Sequence, residues 1–394
     1  MSARTARLDE VCQINPRTPK HINDDTPVTF LPMSAISEDG YVAFEEARTY
    51  GEVKKGYTYF ERGDVLVAKI TPCFENGKAA STETIQNKLG FGSTEFHVLR
   101  PSPDLDPKYA FYLLWSERFR MIGESGMTGS AGQKRVPADL LRRLEIPLPP
   151  LGAQKRIAAM LDKADQLRQK RRQAIALLDS LSQSIFLEMF GETASQGWPT
   201  TTIGEVATDM RTGPFGSQLL HSEFVDEGIA VLGIDNAVNN RFEWGKARFI
   251  TEEKYRQLSR YTVRPDDVLI TIMGTCGRCA VVPHNVPTAI NTKHLCCITL
   301  DITRVLPQYL HACFLNNPSV LRQLGVQAKG AIMPGLNMGI IKSLNIAVPP
   351  IALQQAFQQR LALLSHQLTT AKRAADESDA LFSSLQHRAF SGQL

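Results

Sequence analysis

The stretch Ile-Pro-Leu-Pro-Pro-Leu-Gly-Ala-Gln at residues 146–154 organises the chain, because a related stretch, Ile-Ala-Val-Pro-Pro-Ile-Ala-Leu-Gln, returns at residues 346–354. The two copies lie 200 residues apart, which is about half of the 394-residue chain. Each copy continues into about 40 residues that are poor in glycine and contain no further proline. Similarity at a fixed separation is the signature of a repeated structural unit. The sequence therefore predicts two similar halves.

The segments that follow the two proline pairs predict long helices. Proline is tolerated in the first helical turn but not later, and Gly191 and Gly392 stand where C-terminal caps belong. Residues recur there at alternating steps of three and four, the spacing of a coiled-coil stripe. The apolar stripe positions that we expect to bind a partner are Ile157, Leu161, Leu178, Ile185, Leu361, Leu364, Leu368 and Leu385. We expect two antiparallel helices that join two domains; packing of each helix on its own domain is the alternative.

The part of each half before the helix predicts a mixed α/β domain with a bias towards strands. Short β-rich runs at 64–70 and 267–273 are bounded by Gly, Pro, Asn or Ser. Helical stretches are expected at 107–120 and 307–324. The domain boundaries that we predict are 1–145 for the first domain, 146–191 for its helix, 192–345 for the second domain and 346–394 for its helix.

The composition is that of an ordinary globular chain, with 43% hydrophobic and 21% charged residues. The formal net charge of +4 allows local basic patches for nucleic acid but does not by itself argue for them. The seven cysteines are an odd number scattered over the chain, which favours reduced thiols over a disulfide framework. Because we recognise neither a secretory signal nor a membrane span, we expect a cytoplasmic protein.

The motifs of several enzyme classes do not occur in the sequence. A DNA methyltransferase would carry an Asn/Asp-Pro-Pro-aromatic loop, but the nearest string, 316–319, lacks the second proline and the aromatic residue that stacks a flipped base. A motor would carry a phosphate-binding loop, but 51–58 has Tyr57 in place of its lysine. The acidic pair Asp266–Asp267 mirrors Gly63–Asp64 at the start of a predicted strand, which favours a structural role over nuclease chemistry.

A pair of cysteines, Cys276 and Cys279, has the spacing of a zinc or redox pair, with His294, Cys296 and Cys297 as further candidate ligands. The first half has a single cysteine, Cys73, in the equivalent part. Cys279 also falls on an alternating apolar run, where a small buried side chain is expected. We therefore favour a site without metal, and zinc is the alternative.

Taken together, the repeat resembles the specificity subunits of type I restriction-modification systems over nearly the whole chain. The features that carry the resemblance are the two repeated stretches, the Gly-Asp-Val-Leu run at 63–66 and the Gly-Pro-Phe-Gly-Ser loop at 213–217. The second copy departs from the family pattern at Ala347, Val348, Ala352 and Leu353. The resemblance implies a mixed α/β (α+β) fold with two target-recognition domains joined by paired coiled-coil helices, an internal pseudo-two-fold repeat.

The resemblance also implies a function. One domain would read each half of a bipartite, asymmetric sequence in double-stranded DNA. The paired helices would act as a spacer and as the dock for two methyltransferase subunits, to which restriction subunits attach. The chain itself would be non-catalytic and hold no cofactor or metal, with S-adenosylmethionine, ATP and Mg²⁺ on the partner subunits. Two rivals stay open: a self-sufficient methyltransferase or nuclease with diverged motifs, and a protein-only scaffold built on the coiled coil.

Loop residues able to reach base edges or phosphates are the candidates for reading DNA. Nearby glycines would allow the backbone to approach phosphates. The candidates in the first half are Lys69, Thr71, Lys78, Ser93, Thr94, Lys134 and Arg135. Those in the second half are Arg211, Phe215, Ser217, Thr275, Arg278, Asn291, Lys293 and Lys329.

Overall fold

The computed structural model describes residues 4–130, 132–191, 197–325 and 335–393. By packing, the chain divides into two compact units. Unit 1 is Met1–Gln173 with Lys372–Leu394, and unit 2 is Ala174–Ala371. Each unit thus contains one β-rich domain together with one end of each long helix.

Unit 1 contains two four-stranded sheets and a two-stranded pair. Its strands are β1 (Thr5–Arg7), β2 (Cys12–Ile14), β3 (Pro27–Leu31), β4 (Glu46–Thr49), β5 (Thr58–Glu61), β6 (Val65–Ala68), β7 (Ala79–Ser81), β8 (Leu89–Gly92), β9 (Phe96–Pro101) and β10 (Glu145–Pro147). Its helices are α1 (Leu8–Val11), α2 (Tyr50–Val53), α3 (Pro107–Leu114), α4 (Glu117–Ser125), α5 (Ala138–Arg143) and the first part of α6 (Leu151–Phe190). One sheet is antiparallel in the order β2-β9-β6-β7, and the other has the order β4-β3-β8-β5 with β3 and β8 parallel.

Unit 2 repeats this architecture. Its strands are β11 (Thr200–Thr202), β12 (Ala207–Thr212), β13 (Ile229–Leu232), β14 (Phe249–Ile250), β15 (Thr262–Val263), β16 (Val268–Thr271), β17 (Cys279–Val281), β18 (Ala289–Asn291), β19 (Leu295–Leu300) and β20 (Asn345–Ala347). Its helices are α7 (Ile203–Val206), α8 (Glu252–Leu258), α9 (Pro307–Asn316), α10 (Pro318–Gln323), α11 (Met338–Ser343) and the first part of α12 (Ile351–Phe390). The orders β12-β19-β16-β17 and β14-β13-β18-β15 match those of unit 1, and β13 and β18 are parallel. The predicted duplication is confirmed at the level of strand order.

The predicted strands and shorter helices lie where expected, with one difference. Strands β6 and β16 fall within the predicted runs 64–70 and 267–273. Each predicted helical stretch, however, is broken in two by a residue that caps a new helix. Ser116 accepts a hydrogen bond from Phe119 N at the start of α4, and Asn317 accepts one from Ser319 N at the start of α10. Such side chains satisfy backbone N–H groups that have no partner inside the helix.

The long helices α6 and α12 begin directly after the two proline pairs, as predicted. In unit 1, the side chain of Gln154 accepts a hydrogen bond from Asp106 N (2.8 Å) and donates to the carbonyl oxygens of Asp104 (3.0 Å) and Pro149 (2.9 Å). In unit 2, Gln354 accepts from Leu306 N (2.9 Å) and donates to the equivalent carbonyl oxygens, at 3.0 and 2.8 Å. The last residue of each repeated stretch therefore fixes the start of its helix to the domain.

Replacing Gln354 by alanine is expected to lower the free energy of unfolding by about 1–3 kcal/mol, because Gln354 is buried and its loss leaves Leu306 N without an acceptor. Urea denaturation of the purified chain measures the change. Exposed Gln355 provides the matched control, for which a change within about 0.5 kcal/mol is expected. Equal losses for the two alanine variants would contradict the role assigned to Gln354.

The two long helices pair antiparallel within unit 1. Arg168 Nε of α6 lies 2.6 Å from Asp379 Oδ1 of α12, and Arg171, further along α6, donates to Ser378 and to the carbonyl oxygen of Ala374, earlier on α12. In unit 2, the ring of Phe357 on α12 contacts those of Phe186 and Phe190 on α6. The start of α6 also packs on its own domain, since Ile157 and Leu161 lie in the core of unit 1, whereas the end of α12 packs on the first domain through the Tyr109–Phe390 ring contact. The long helices therefore pair with each other and also pack on the domains.

The eight stripe residues are all buried or half-buried by the chain itself. Ile157 and Leu161 lie in the core of unit 1, with Leu385 packed against it. Leu364 is buried, and Ile185 and Leu361 pack against the core of unit 2. Leu178 and Leu368 line an open groove in unit 2. The prediction that these residues bind an external partner is therefore wrong for Ile157, Leu161 and Leu364, which the chain itself buries, and stays a prediction for the half-buried ones.

Several apolar residues that the stripe analysis left out are exposed on the helices instead. They are Leu177 and Leu181 on α6 and Leu363 on α12 in unit 2, and Leu167 on α6 and Leu381 on α12 in unit 1. In the described part of the chain, no helix combines the length and the apolar character needed to cross a membrane.

Candidate nucleic-acid interface

Six of the seven candidates in unit 1 lie on three neighbouring segments. The segment 69–71 follows strand β6, the turn 93–95 joins β8 to β9, and the segment 134–135 runs beside the first. Lys69 N donates to the carbonyl oxygen of Glu95 (2.9 Å), and Thr71 N donates to that of Lys134 (3.0 Å). The fold therefore places six candidates close together, and we call them the unit 1 loop cluster: Lys69, Thr71, Ser93, Thr94, Lys134 and Arg135.

The central contact of the unit 1 loop cluster is an ion pair between Arg135 and Glu95. Arg135 Nε and Nη2 donate to the two carboxylate oxygens of Glu95, at 3.0 and 2.9 Å. The hydrogen bonds from Arg135 are the main reason why the pKa of Glu95 lies below its usual value, so Glu95 is ionised at neutral pH. Ser93 Oγ accepts a hydrogen bond from Glu95 N (3.2 Å), which holds the turn.

The other candidates of unit 1 differ in how exposed their side chains are. Thr94 and Lys134 are exposed, whereas Lys69, Thr71 and Ser93 are half-buried. Lys78 lies in the loop between β6 and β7, and its Nζ donates to the carbonyl oxygen of Met33 (3.3 Å). Exposed lysines suit phosphate contacts, which position a protein on DNA without reading its sequence.

In unit 2, the loop 213–217 packs closely against the turn at 291–293. Gly213 approaches the backbone of Asn291 and Thr292 so closely that an added Cβ would lie 2.0 Å from the Asn291 carbonyl oxygen. This contact sets the Gly-Pro-Phe-Gly-Ser loop beside the turn that carries Lys293. Phe215, 49% exposed, and Ser217, also exposed, extend from that loop.

A third loop of unit 2 joins β16 to β17 and carries Thr275 and Arg278. Gly274 and Gly277 have φ values of 70° and 80°, a conformation that suits glycine. Thr271 Oγ1 accepts a hydrogen bond from Arg278 N (2.8 Å) and donates to the carbonyl oxygen of Thr275 (2.5 Å), which fixes the loop to its strand. Thr275 is exposed and Arg278 is half-buried.

Two candidates in unit 2 are corrected by their burial. The side chain of Arg211 is 7% exposed, and its guanidinium binds Asp267 Oδ2 (2.5 Å) and the carbonyl oxygen of Thr262 (2.5 Å). Asn291 is fully buried, and its amide donates to the Leu295 carbonyl oxygen (3.1 Å). Both side chains serve the fold and cannot reach DNA. Lys329 lies outside the described residues.

The candidate zinc ligands are spread between the core and the loops. Cys279, Cys296 and Cys297 are buried, and burial raises the pKa of each thiol. Among the residues that the structure describes, no three His, Cys, Asp or Glu side chains are grouped so that they could hold a metal ion. In unit 1, His97 is buried between the Val136 carbonyl oxygen (2.8 Å) and the Asn15 amide (3.2 Å), as a structural side chain would be.

Glu95, which pairs with Arg135 in the unit 1 loop cluster, was not among the candidates chosen from the sequence. A carboxylate repels phosphates, so an acidic residue gave no reason for inclusion among DNA-reading candidates. Its position one residue before β9 and beside Ser93 and Thr94 was visible in the sequence, but its pairing with Arg135, 40 residues away, was not.

A family model, described as type I restriction modification DNA specificity domain, matches residues 3–177. Over 185 residues the chain is 43% identical to the EcoAI specificity subunit of a type I restriction enzyme from Escherichia coli. This alignment covers 45% of the chain but 31% of that relative. The EcoEI specificity subunit of Escherichia coli is 42% identical over 185 residues, 45% of the chain and 30% of that relative. The chain thus spans about a third of the length of these two curated relatives.

Solved structures resemble the whole chain in fold. A chain from a study of the assembly and conformational transition of the type I R-M system matches with a TM-score of 0.64 at 19% identity, covering 100% of this chain and 99% of that chain. The type I restriction-modification S subunit from M. genitalium matches with a TM-score of 0.54 at 18% identity, covering 98% and 96%. At these identities the likeness concerns the fold.

Proposed function

We propose, from the match of residues 3–177 to the type I restriction modification DNA specificity domain, that the whole chain is the DNA-reading specificity subunit of a type I restriction-modification enzyme. The observation that carries the proposal is the duplicated domain with matching strand orders. Each copy brings its polar and basic loops together at the ends of equivalent strands. Two similar modules with different loops suit a target made of two different half-sites.

The partners in this proposal are double-stranded DNA and two methyltransferase subunits, through which restriction subunits attach. We assign the contacts with the methyltransferase subunits to exposed leucines of α6 and α12. They are Leu177, Leu181 and Leu363 in unit 2, and Leu167 and Leu381 in unit 1. They replace the buried stripe residues in this role because their side chains are not covered by the chain. Exposed apolar residues that recur on helices are typical of protein contacts.

The chain itself performs no chemistry in this proposal and acts in the cytoplasm, where its cysteines stay reduced. Adenine methylation with S-adenosylmethionine and ATP-driven cleavage with Mg²⁺ belong to the partner subunits. The chain contributes binding and position: exposed cations contact phosphates, and loop side chains select bases.

The experiment that tests this function maps adenine methylation across the genome of cells that produce the chain together with a methyltransferase subunit of the same type I system. We expect a methylated, asymmetric, two-part motif that is lost when the chain is omitted. Unchanged methylation without the chain would contradict the proposal.

Two assays distinguish the proposal from the alternatives of a self-sufficient methyltransferase and a protein-only scaffold. With S-adenosylmethionine and DNA but no partner, we expect no methyl transfer; turnover would instead favour a self-sufficient methyltransferase. Absence of DNA binding even when the methyltransferase subunits are bound would favour a protein-only scaffold.

A further inference from the structure

The Arg135–Glu95 pair in unit 1 leaves one edge of the guanidinium free. Arginine has five N–H donors in a fixed planar arrangement. The Nε–H and one Nη2–H go to Glu95, and one Nη1–H goes to the carbonyl oxygen of Gln133 (3.2 Å). One donor on Nη1 and one on Nη2 remain, and neither has a partner in the described part of the chain. The Arg135 side chain is 43% exposed, against 26% for Glu95, so this edge is open to a ligand.

We propose that Arg135 reads a guanine in the half-site that unit 1 recognises, and that Glu95 is the positioning residue that holds the guanidinium for this contact. The inference rests on the proposed function and deepens it by naming the base. Guanine presents two acceptors, N7 and O6, side by side in the major groove, and two parallel N–H donors match them. Adenine, with one acceptor and one donor there, does not.

A phosphate would also accept two hydrogen bonds from an arginine, but the surroundings of Arg135 favour a base. The ionised carboxylate of Glu95 balances the charge of Arg135 and repels a phosphate, while the donors on the outer edge remain. Two lysines that form no ion pair in the described part of the chain lie next to the pair: Lys134 is exposed, and Lys69, whose charge also acts on Glu95, is joined to Glu95 through its backbone. These lysines suit the phosphates, which leaves Arg135 for the base edge.

The carboxylate of the pair has no counterpart at the equivalent position of unit 2. Strands β9 and β19 correspond, and the residue before them is Glu95 in unit 1 but His294 in unit 2. Lys293 precedes that histidine, and its charge together with burial lowers the pKa of His294. The guanine contact is therefore confined to one half-site.

The test uses the full complex of the chain with its methyltransferase subunits and compares Arg135→Lys with Glu95→Gln. Methylation mapping with the Arg135→Lys complex is expected to show one guanine of one half-site relaxed to other bases, with the other half-site unchanged. Binding of the cognate duplex should weaken about 5- to 150-fold. Binding of unrelated duplexes should stay within about twofold, because lysine keeps the positive charge. Glu95→Gln should relax the same guanine by a smaller factor, about 2- to 10-fold.

A modified base provides the second measurement. Replacing the relaxed guanine by 7-deazaguanine removes the N7 acceptor, and should weaken binding by the unchanged complex while adding nothing to the loss in the Arg135→Lys complex. The matched control is Arg142→Lys, since Arg142 lies on α5 and pairs with its neighbour Asp139, three residues away. It should leave the motif intact.

Three results would overturn the inference. The first is a half-site for unit 1 without guanine. The second is an equal effect of 7-deazaguanine on the unchanged and Arg135→Lys complexes. The third is a uniform, salt-dependent loss on all duplexes, which would make Arg135 a phosphate contact. Each leaves a two-part motif in place, whereas loss of the proposed function would remove the motif itself and the inference with it.

Discussion

Replacing Phe357 by alanine is expected to destabilise unit 2 by about 3–5 kcal/mol. Phe357 is fully buried, and its ring lies 6.0 Å from that of Phe186 and 5.3 Å from that of Phe190, measured between centroids. Phe190 in turn packs on Tyr309 of α9 at 4.9 Å. The ring thus joins both long helices to the domain, and alanine would leave a cavity that surrounding side chains cannot fill without moving. Denaturation in urea measures the loss, and hydrogen exchange in α12 should locate it.

Leu363 is the matched control because it lies on the same helix and is 69% exposed. Alanine there should change the free energy of unfolding by no more than about 0.5 kcal/mol. If Phe357→Ala cost no more than Leu363→Ala, the aromatic cluster would not be what fastens the helices to unit 2.

Replacing Arg211 by alanine is expected to cost a similar amount, about 3–5 kcal/mol, for an electrostatic reason. Asp267 is fully buried, and Arg211 is the cation that faces it, with Nη2 2.5 Å from Oδ2. Removing the arginine leaves the buried carboxylate without its counter-ion, which costs free energy even though Thr299 and Arg264 N still donate to it. Thermal and urea denaturation of the purified chain measure the destabilisation.

The double variant Arg211→Met with Asp267→Asn removes both charges and should recover much of the loss, because an amide still accepts hydrogen bonds without requiring a counter-ion. Arg241→Ala is the surface control: Arg241 pairs with Glu243 but is 54% exposed. Exposed pairs contribute about 0–1 kcal/mol. A deficit that the double variant does not reduce would contradict the charge explanation.

The architecture was largely predictable from the sequence because it depends on local rules. The proline pairs set the first residues of α6 and α12 to within one position, and the repeat predicted two domains of the same kind. The breaks before α4 and α10 were not expected, because Ser116 and Asn317 look like ordinary polar residues until their capping bonds are seen.

The candidate DNA contacts were less predictable because surface and core arginines look alike in a sequence. Arg211 stands near candidate loops, yet its role depends on Asp267, which lies 56 residues further along the chain. The role proposed for Arg135 likewise depends on Glu95, which lies 40 residues away in the chain. In the same way, the coiled-coil spacing identifies residues that become covered, such as Leu161, but not what covers them, because a helix, a domain or another chain covers an apolar stripe equally well.

The pairing of β1 with β10, and of β11 with β20, has a consequence for how such chains can change. Each domain starts and ends on two antiparallel strands side by side, with Ala6 opposite Ile146 and Thr201 opposite Ile346. We expect that everything between those strands can be exchanged for another domain with the same two ends while the start of the following helix stays where it was. Under the proposed function, genetic recombination at the two repeated stretches would exchange one half of the target sequence and create a new specificity in a single event.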